Sequence, residues 1–181
     1  MANKENQIVI AGFGGQGLLF AGKVLAYAGL SEDRQLSWLP SYGPEMRGGT
    51  ANCNVILSDE PVGSPIVSNP DILMVMNSPS LDKYEDSVVK DGYIFCDSSL
   101  ISRPVARKDV KSYAIPATEI AKSIGAQSLA NMVLLGAIVK VTGCISQDAL
   151  MAGLKKAIPP KKAELFDLNL KALEAGQDYV K

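Results

Sequence analysis

An uninterrupted apolar run, Ile8 to Ala11, leads without a spacer into Gly12-Phe-Gly-Gly-Gln-Gly17 and then Leu-Leu-Phe-Ala-Gly22. No other stretch restricts the fold as much. The apolar run has the pattern of a parallel strand covered on both faces. Gly12, Gly14 and Gly17 fit G-x-G-x-x-G. The first glycine of that pattern allows a tight turn, the second lets backbone approach a phosphate, and the third lets helix pack closely on strand. Free N–H groups in the first turn of the following helix then face whatever anion sits there. The opening predicts strand, glycine turn and helix with a phosphate-bearing ligand. A tight structural turn without a ligand is the other reading.

Several chemistries fall away on inspection of the residues. Gly12 and Gly17 have Walker spacing, but Leu18 stands where the phosphate-binding lysine is required, so nucleotide triphosphate hydrolysis is excluded. A nicotinamide-binding unit calls for an acid near the end of its second strand. Glu32 and Asp33 instead precede the strand predicted at Leu36 to Leu39, which weakens that reading. The chain has no histidine and only three cysteines, Cys53, Cys96 and Cys144, without a C-x-x-C pair. A Ser-His or Cys-His nucleophile is therefore impossible within the chain, and neither an Fe–S cluster nor a catalytic zinc is expected on it. The cysteines stand in apolar context and read as buried, inert thiols. A net charge of −1 without long basic runs offers nothing to nucleic acid. The polar N-terminus lacks the pattern of a signal peptide, and Leu129 to Thr142 is too short and too polar to cross a bilayer. A cytoplasmic protein is expected.

The rest of the chain alternates strands and helices. A first helix is predicted over Leu18 to Ala28 with Gly29 as its stop. After the second strand, Pro40-Ser-Tyr-Gly-Pro-Glu-Met-Arg-Gly-Gly-Thr50 is too rich in Gly and Pro for helix or central strand and reads as a shaped loop. Ala51 to Leu57 follows as a strand with no intervening helix, so it can run antiparallel. Strands are predicted at Asp71 to Met76, Tyr93 to Cys96 and Ser112 to Ile115. Ser78-Pro79 reads as the N-cap and first position of a helix reaching Lys90. Pro116 to Gly125, Ser128 to Gly143, a helix capped by Ser146, and Lys161 to Ala175 stopped by Gly176 complete the pattern. The expected fold is one domain over residues 1–181, a three-layer α/β/α sandwich on a mostly parallel, doubly wound sheet with room for one antiparallel strand. Ligands of such sheets bind beyond the carboxyl ends of the strands. The turns after Gly12, Ser41 and Asn77 all follow strands and are expected to form one rim.

Taken together, Gly12-Phe-Gly-Gly-Gln-Gly17, Ser41-Tyr-Gly-Pro-Glu-Met-Arg-Gly-Gly49, Asn131-Met-Val-Leu-Leu-Gly136 and Asn169-Leu-Lys-Ala-Leu-Glu-Ala-Gly176 resemble the gamma subunit of 2-oxoacid:ferredoxin oxidoreductases. The resemblance spans nearly the whole chain. It implies a complex that oxidatively decarboxylates a 2-oxoacid, reduces ferredoxin and passes the acyl group to coenzyme A. As a short, separate chain it is most similar to the 2-oxoglutarate type, with branched-chain and pyruvate types behind. Thiamine diphosphate, magnesium and Fe–S clusters are then expected on alpha, beta and ferredoxin-like partners, and catalysis by the isolated chain is not expected.

For this chain the resemblance implies a place on the coenzyme A and active-site rim. The candidate phosphate or coenzyme A set is Gly12, Gly14, Gly15, Gln16, Gly17, Ser41 and Arg47. Arg47 offers a planar fork for phosphate, or an ion pair with Glu45 that shapes the loop. Gln16 either meets the ligand or caps its own turn. Tyr42, Glu45 and Met46 are candidate partner contacts. The competing expectations are a free-standing NAD(P)-dependent reductase using the same glycine turn, and an assembly module with no ligand.

Overall fold

A computed structural model describes residues 5–41 and 50–180. Among these, six strands form one mixed sheet: β1 Glu5–Phe13, β2 Gln35–Ser41, β3 Thr50–Ser58, β4 Ile72–Val75, β5 Tyr93–Asp97 and β6 Lys111–Ile115. They lie in the order β2-β3-β1-β4-β5-β6. β1 is parallel to β4 and antiparallel to β3, with Ile8 opposite Val55 and Phe13 opposite Thr50. β3 also runs antiparallel to β2, so five strands share one direction and β3 opposes them. Only residues 42–49 join β2 to β3, shorter than the crossover a parallel pairing needs, and this allows the reversal.

Strand alternation divides the core in two. Ile8, Ile10, Val55, Leu57, Ile72, Met74 and Phe95 point to one face. Val9, Ala11, Ile56, Leu73, Val75, Ile94 and Cys96 point to the other. The first face is covered by α1 Leu18–Ser31, α3 Ala117–Ser123, α4 Ala130–Thr142, α5 Gln147–Ala157 and α6 Leu165–Tyr179. The second is covered by α2 Ser78–Tyr84, a 3₁₀ turn Glu85–Ser87 and irregular chain before β4 and before β6. The three-layer sandwich predicted from the sequence is therefore present, with unequal outer layers.

Two helices run through the glycines expected to stop them. α1 continues to Ser31 past Gly29, where an added Cβ would press on the Leu57 side chain. α6 continues to Tyr179 past Gly176, where a Cβ would strike the Val133 carbonyl. These glycines serve close approach between elements, not chain reversal. Gly125 and Gly143, both at positive φ, do end their helices as expected. The helix after β4 begins one residue earlier than predicted: Asn77 is the N-cap, accepting from Ser80 N at 2.8 Å, and Pro79 sits in the first turn. That helix and its 3₁₀ extension end at Ser87, short of Lys90. Ser146 caps α5 by accepting from Ala149 N at 3.2 Å, as expected.

Arg34 locks the covered face to the sheet. It is 8% exposed and donates to Cys144 O at 2.9 Å and Leu57 O at 2.8 Å, with Asp59 at 3.4 Å. Its charge thus ties the end of β3 to the turn between α4 and α5.

Candidate functional site

The chain leaves β1 for the five-helix face through α1, and leaves β4 for the opposite face through α2. β1 and β4 are neighbours, so their carboxyl ends flank a crevice, the position where parallel sheets bind ligands. The glycine turn forms one side of it. Gln16, Met76, Leu100, Thr118 and Ser128 line a cavity of about 490 Å³ there. On the other side of the turn, Phe13, Leu19, Phe20 and Ala51 bound a smaller cleft of about 280 Å³.

The turn has defined internal bonding. Gln16 Oε1 accepts from Phe13 N at 2.6 Å, and its Nε2 donates to Met76 O at 3.0 Å. The side chain therefore fastens the end of β1 to the end of β4. Gly12 is needed for this, because a Cβ there would stand 2.5 Å from Gln16 Oε1. Gly17 is the N-cap of α1 in the left-handed region, φ 74°, and no side chain caps the helix. Asn131 on α4 donates to Gly17 O at 2.9 Å and fixes it from behind. Gly15, at φ +94°, is exposed, and a Cβ there would meet nothing within 4 Å. The result is an open turn backed by a helix start with no acidic residue in its first turn and no side-chain cap on its N–H groups.

A buried carboxylate fixes the far wall of the crevice. Asp97, at the end of β5, is fully buried and accepts from Thr118 Oγ1 at 2.5 Å, Ser99 N at 3.1 Å and Thr118 N at 3.3 Å. It joins the end of β5 to the start of α3, and its acceptor capacity is largely used. Sequence reading passed over it. The signal was Asp97-Ser98-Ser99 after a strand, the composition of an Asx turn.

The expected rim is only partly assembled. Gly12, Gly14, Gly15, Gln16 and Gly17 lie together, and the Asn77 turn meets them through Met76. Ser41 ends β2, which β3 separates from β1, so it stands two strand spacings, about 10 Å, along the edge. Tyr42, Glu45, Met46 and Arg47 lie outside the described residues. The same insertion of β3 bears on the nicotinamide reading, because the end of β2 is not next to the glycine turn. Glu32, the C-cap of α1, accepts from Ser146 N at 2.7 Å, at the end of that helix away from the turn.

Donors for a metal are not gathered among the described residues, where no group of three or more His, Cys, Asp or Glu side chains is placed to hold an ion. Cys53, Cys96 and Cys144 are free and buried. Burial pushes the Cys53 and Cys96 thiols up to about 12, the opposite of what a thiolate ligand needs. These residues do not fit an Fe–S cluster. None of the helices among the described residues is long and apolar enough to cross a membrane.

Comparison with known proteins agrees with the fold. Ketoisovalerate oxidoreductase subunit VorA of Methanothermobacter thermautotrophicus is 42% identical over 179 residues, 98% of this chain but 37% of that protein. The chain thus spans little more than a third of that relative. 2-Oxoglutarate synthase subunit KorC of Methanocaldococcus jannaschii is 35% identical over 98% of this chain and 95% of its own length. The crystal structure of the keto/oxoacid ferredoxin oxidoreductase gamma subunit from Geobacter sulfurreducens superposes with a TM-score of 0.83 at 29% identity, covering 97% of this chain and 98% of that one. Residues 7–179 match the family model described as pyruvate ferredoxin/flavodoxin oxidoreductase, and the chain belongs to that family.

Proposed function

We propose that this chain works as the gamma-type subunit of a 2-oxoacid:ferredoxin oxidoreductase and that its glycine turn holds a phosphate of coenzyme A at the rim of the shared active site. The carrying observation is the open turn at Gly15 in front of the uncapped N-terminus of α1, set at the crevice between β1 and β4. Backbone N–H groups and the helix dipole supply the anion site. Gln16 shapes the turn, since its amide is already bonded to two backbone groups. Arg47, from the adjoining loop sequence, adds a guanidinium for the same phosphates.

The electron chemistry belongs to partners. Thiamine diphosphate with magnesium, and Fe–S clusters, sit on alpha, beta and ferredoxin-like subunits, where the cofactor provides the carbanion chemistry of decarboxylation. The surface supports a partner at this rim: Phe13, Leu39 and Leu100 are 37%, 37% and 48% exposed around the carboxyl-end edge. Large exposed apolar side chains spaced along that edge suit burial against another subunit.

The proposed substrate is 2-oxoglutarate, supported by likeness to KorC over nearly the full length of both chains. A branched-chain 2-oxoacid is the second reading, favoured by the higher identity to VorA. Co-production with alpha and beta partners, followed by viologen-reduction assays with 2-oxoglutarate, ketoisovalerate and pyruvate, separates the two. In that complex Gly15→Ala, strained at positive φ, is expected to raise KM for coenzyme A about tenfold, the loss of a helix-terminus contact of about 1–2 kcal/mol. KM for the 2-oxoacid stays unchanged. Full coenzyme A-dependent turnover by the partners without this chain would overturn the proposal.

A further inference from the structure

The lysines of this chain are unevenly placed. Residues 155–162 hold four of them and no acid, in a chain of net charge −1. α5 runs back along α1: Ser146 at its start donates to Glu32 at the far end of α1, and Lys156 near its end stands over the Tyr27 ring at 5.2 Å. Lys23 stands over the same ring at 5.6 Å. The basic stretch is thereby brought toward the end of the molecule where α1 begins. None of Lys23, Lys155, Lys156, Lys161 and Lys162 joins an ion pair among the described residues. The last turn of α5 favours Lys155 and Lys156 through the helix dipole. Lys161 and Lys162 have the opposite setting, just before α6, where the dipole disfavours a cation.

These lysines surround an apolar hollow. Ile158, Pro159, Pro160, Ala163 and Phe166 line a cavity of about 560 Å³ between the end of α5 and the start of α6, with Lys155 at its border. An adjoining cleft shares Ile158 and Pro159 with it and is bordered by Lys23, Lys162 and Leu165, the last 39% exposed. Two prolines in succession fix the wall before anything binds. Like charges gathered without counter-ions repel, so the surface calls for an acidic occupant, and the cavity calls for an apolar one. A small anion meets the lysines and leaves the cavity open. A nucleic acid or an anionic membrane brings phosphates against Asp167, which also lines the cavity, and against Glu164 at the start of α6. An acidic polypeptide meets both needs, and its backbone N–H groups suit the Asp167 carboxylate.

We infer that this groove docks an acidic segment of a partner subunit, with an apolar side chain in the cavity and carboxylates on the lysines around it. The inference rests on the proposed subunit role and is independent of what the glycine turn binds.

The test is carbodiimide cross-linking of the co-produced complex, which joins a lysine to a carboxylate only at contact distance, read by mass spectrometry. Cross-links from Lys155, Lys161 or Lys162 to Asp or Glu of an alpha, beta or ferredoxin-like subunit are expected. Lys161→Glu combined with Lys162→Glu is expected to weaken assembly about tenfold, as like charges juxtaposed at an interface do, with the loss shrinking at high salt. Ala163→Trp, which fills the cavity from an exposed position, is expected to weaken assembly by a similar factor at every salt concentration. No cross-link from these lysines to another subunit, or assembly that neither variant changes, overturns the docking surface. So does a raised KM for coenzyme A in the double variant with assembly intact, which would make the lysines a small-anion site. In those results the parent chain still assembles. Failure of the parent chain itself to assemble with alpha and beta subunits would remove the subunit reading, and this surface with it.

Discussion

The two faces of the sheet are built on different physics. On the face covered by five helices, α4 and α6 touch backbone to backbone. A Cβ at Gly136 would strike Leu173 O, and one at Gly176 would strike Val133 O. On the other face, one short helix and two irregular stretches cover the strands, and polar bonds hold the cover in place. Glu85, 5% exposed, accepts from Ala106 N, from Arg107 N at 3.3 Å and from Arg103 Nη2 at 2.8 Å. Arg103 also pairs with Asp82 at 2.6 Å, and Arg107 donates to Val88 O at 2.5 Å. Arg34 apart, the first face depends on shape and the second on charge. The candidate site lies at the edge between them, where β1 hands the chain to one face and β4 to the other.

The largest effect that would distinguish the faces comes from Gly176→Ala. Overpacking against a helix backbone commonly costs about 1–3 kcal/mol and more where the neighbour cannot yield, so a loss of about 3 kcal/mol is expected, insensitive to pH. Urea unfolding of the variant at two pH values checks both parts. An unchanged midpoint would show that α4 and α6 are not in backbone contact.

Glu85→Gln tests the thin face. Burial pushes the Glu85 carboxyl up, but the Arg103 bond and the Ala106 and Arg107 N–H groups outweigh it and hold the group below the usual glutamate range. A depressed carboxyl adds stability above its unfolded pKa and loses it as pH falls through the folded one. The variant is expected to be weaker by about 2 kcal/mol at neutral pH, in keeping with charged hydrogen bonds, and to show a flatter acid limb. Equal acid limbs in variant and parent would remove the charge-based account of this face.

A smaller effect of opposite sign is expected from Asp71, just before β4. Burial raises its carboxyl; the Gln7 N–H pulls it down, and Glu5 raises it further, leaving it above the usual range. The folded chain then binds this proton more tightly than the unfolded one, so stability falls as pH rises through the interval above the ordinary value. Asp71→Asn should remove that slope, by less than about 1 kcal/mol, measured by thermal unfolding across mildly acidic pH. The smallest signal is kinetic. Cys53 lies on the helix-covered face and Cys96 on the thin one, both buried. A thiol reagent at pH 8 should label Cys96 first, through local opening of the weaker cover.

Much of this was legible in the residues. The apolar strand and glycine turn announced the β1–α1 unit, and the missing helix before Ala51 announced the reversed strand. Gly29 and Gly176 were misread because a glycine permitting close approach looks like one ending a helix until its partner is known. Leu57 and Val133 are distant in sequence from these glycines. The cap role expected of Ser78 belongs to Asn77, because both residue types are good caps and the sequence does not choose between neighbours. Arg34 and Glu85 carry no local sign of their roles, since nothing near them in sequence shows that carbonyls and N–H groups from far along the chain converge on them. At the site, sequence located the turn but not the bonds that tie Gln16 to Met76 or Asn131 to Gly17.

The central claim is that backbone N–H groups of the glycine turn and the first turn of α1 receive a phosphate of coenzyme A. Amide hydrogen exchange of the assembled complex, with and without saturating coenzyme A, reads those groups directly. The account predicts slowed exchange over residues 14–20 on coenzyme A addition, with little change over β6. Unchanged exchange over residues 14–20 under conditions where coenzyme A is bound and turned over would contradict it.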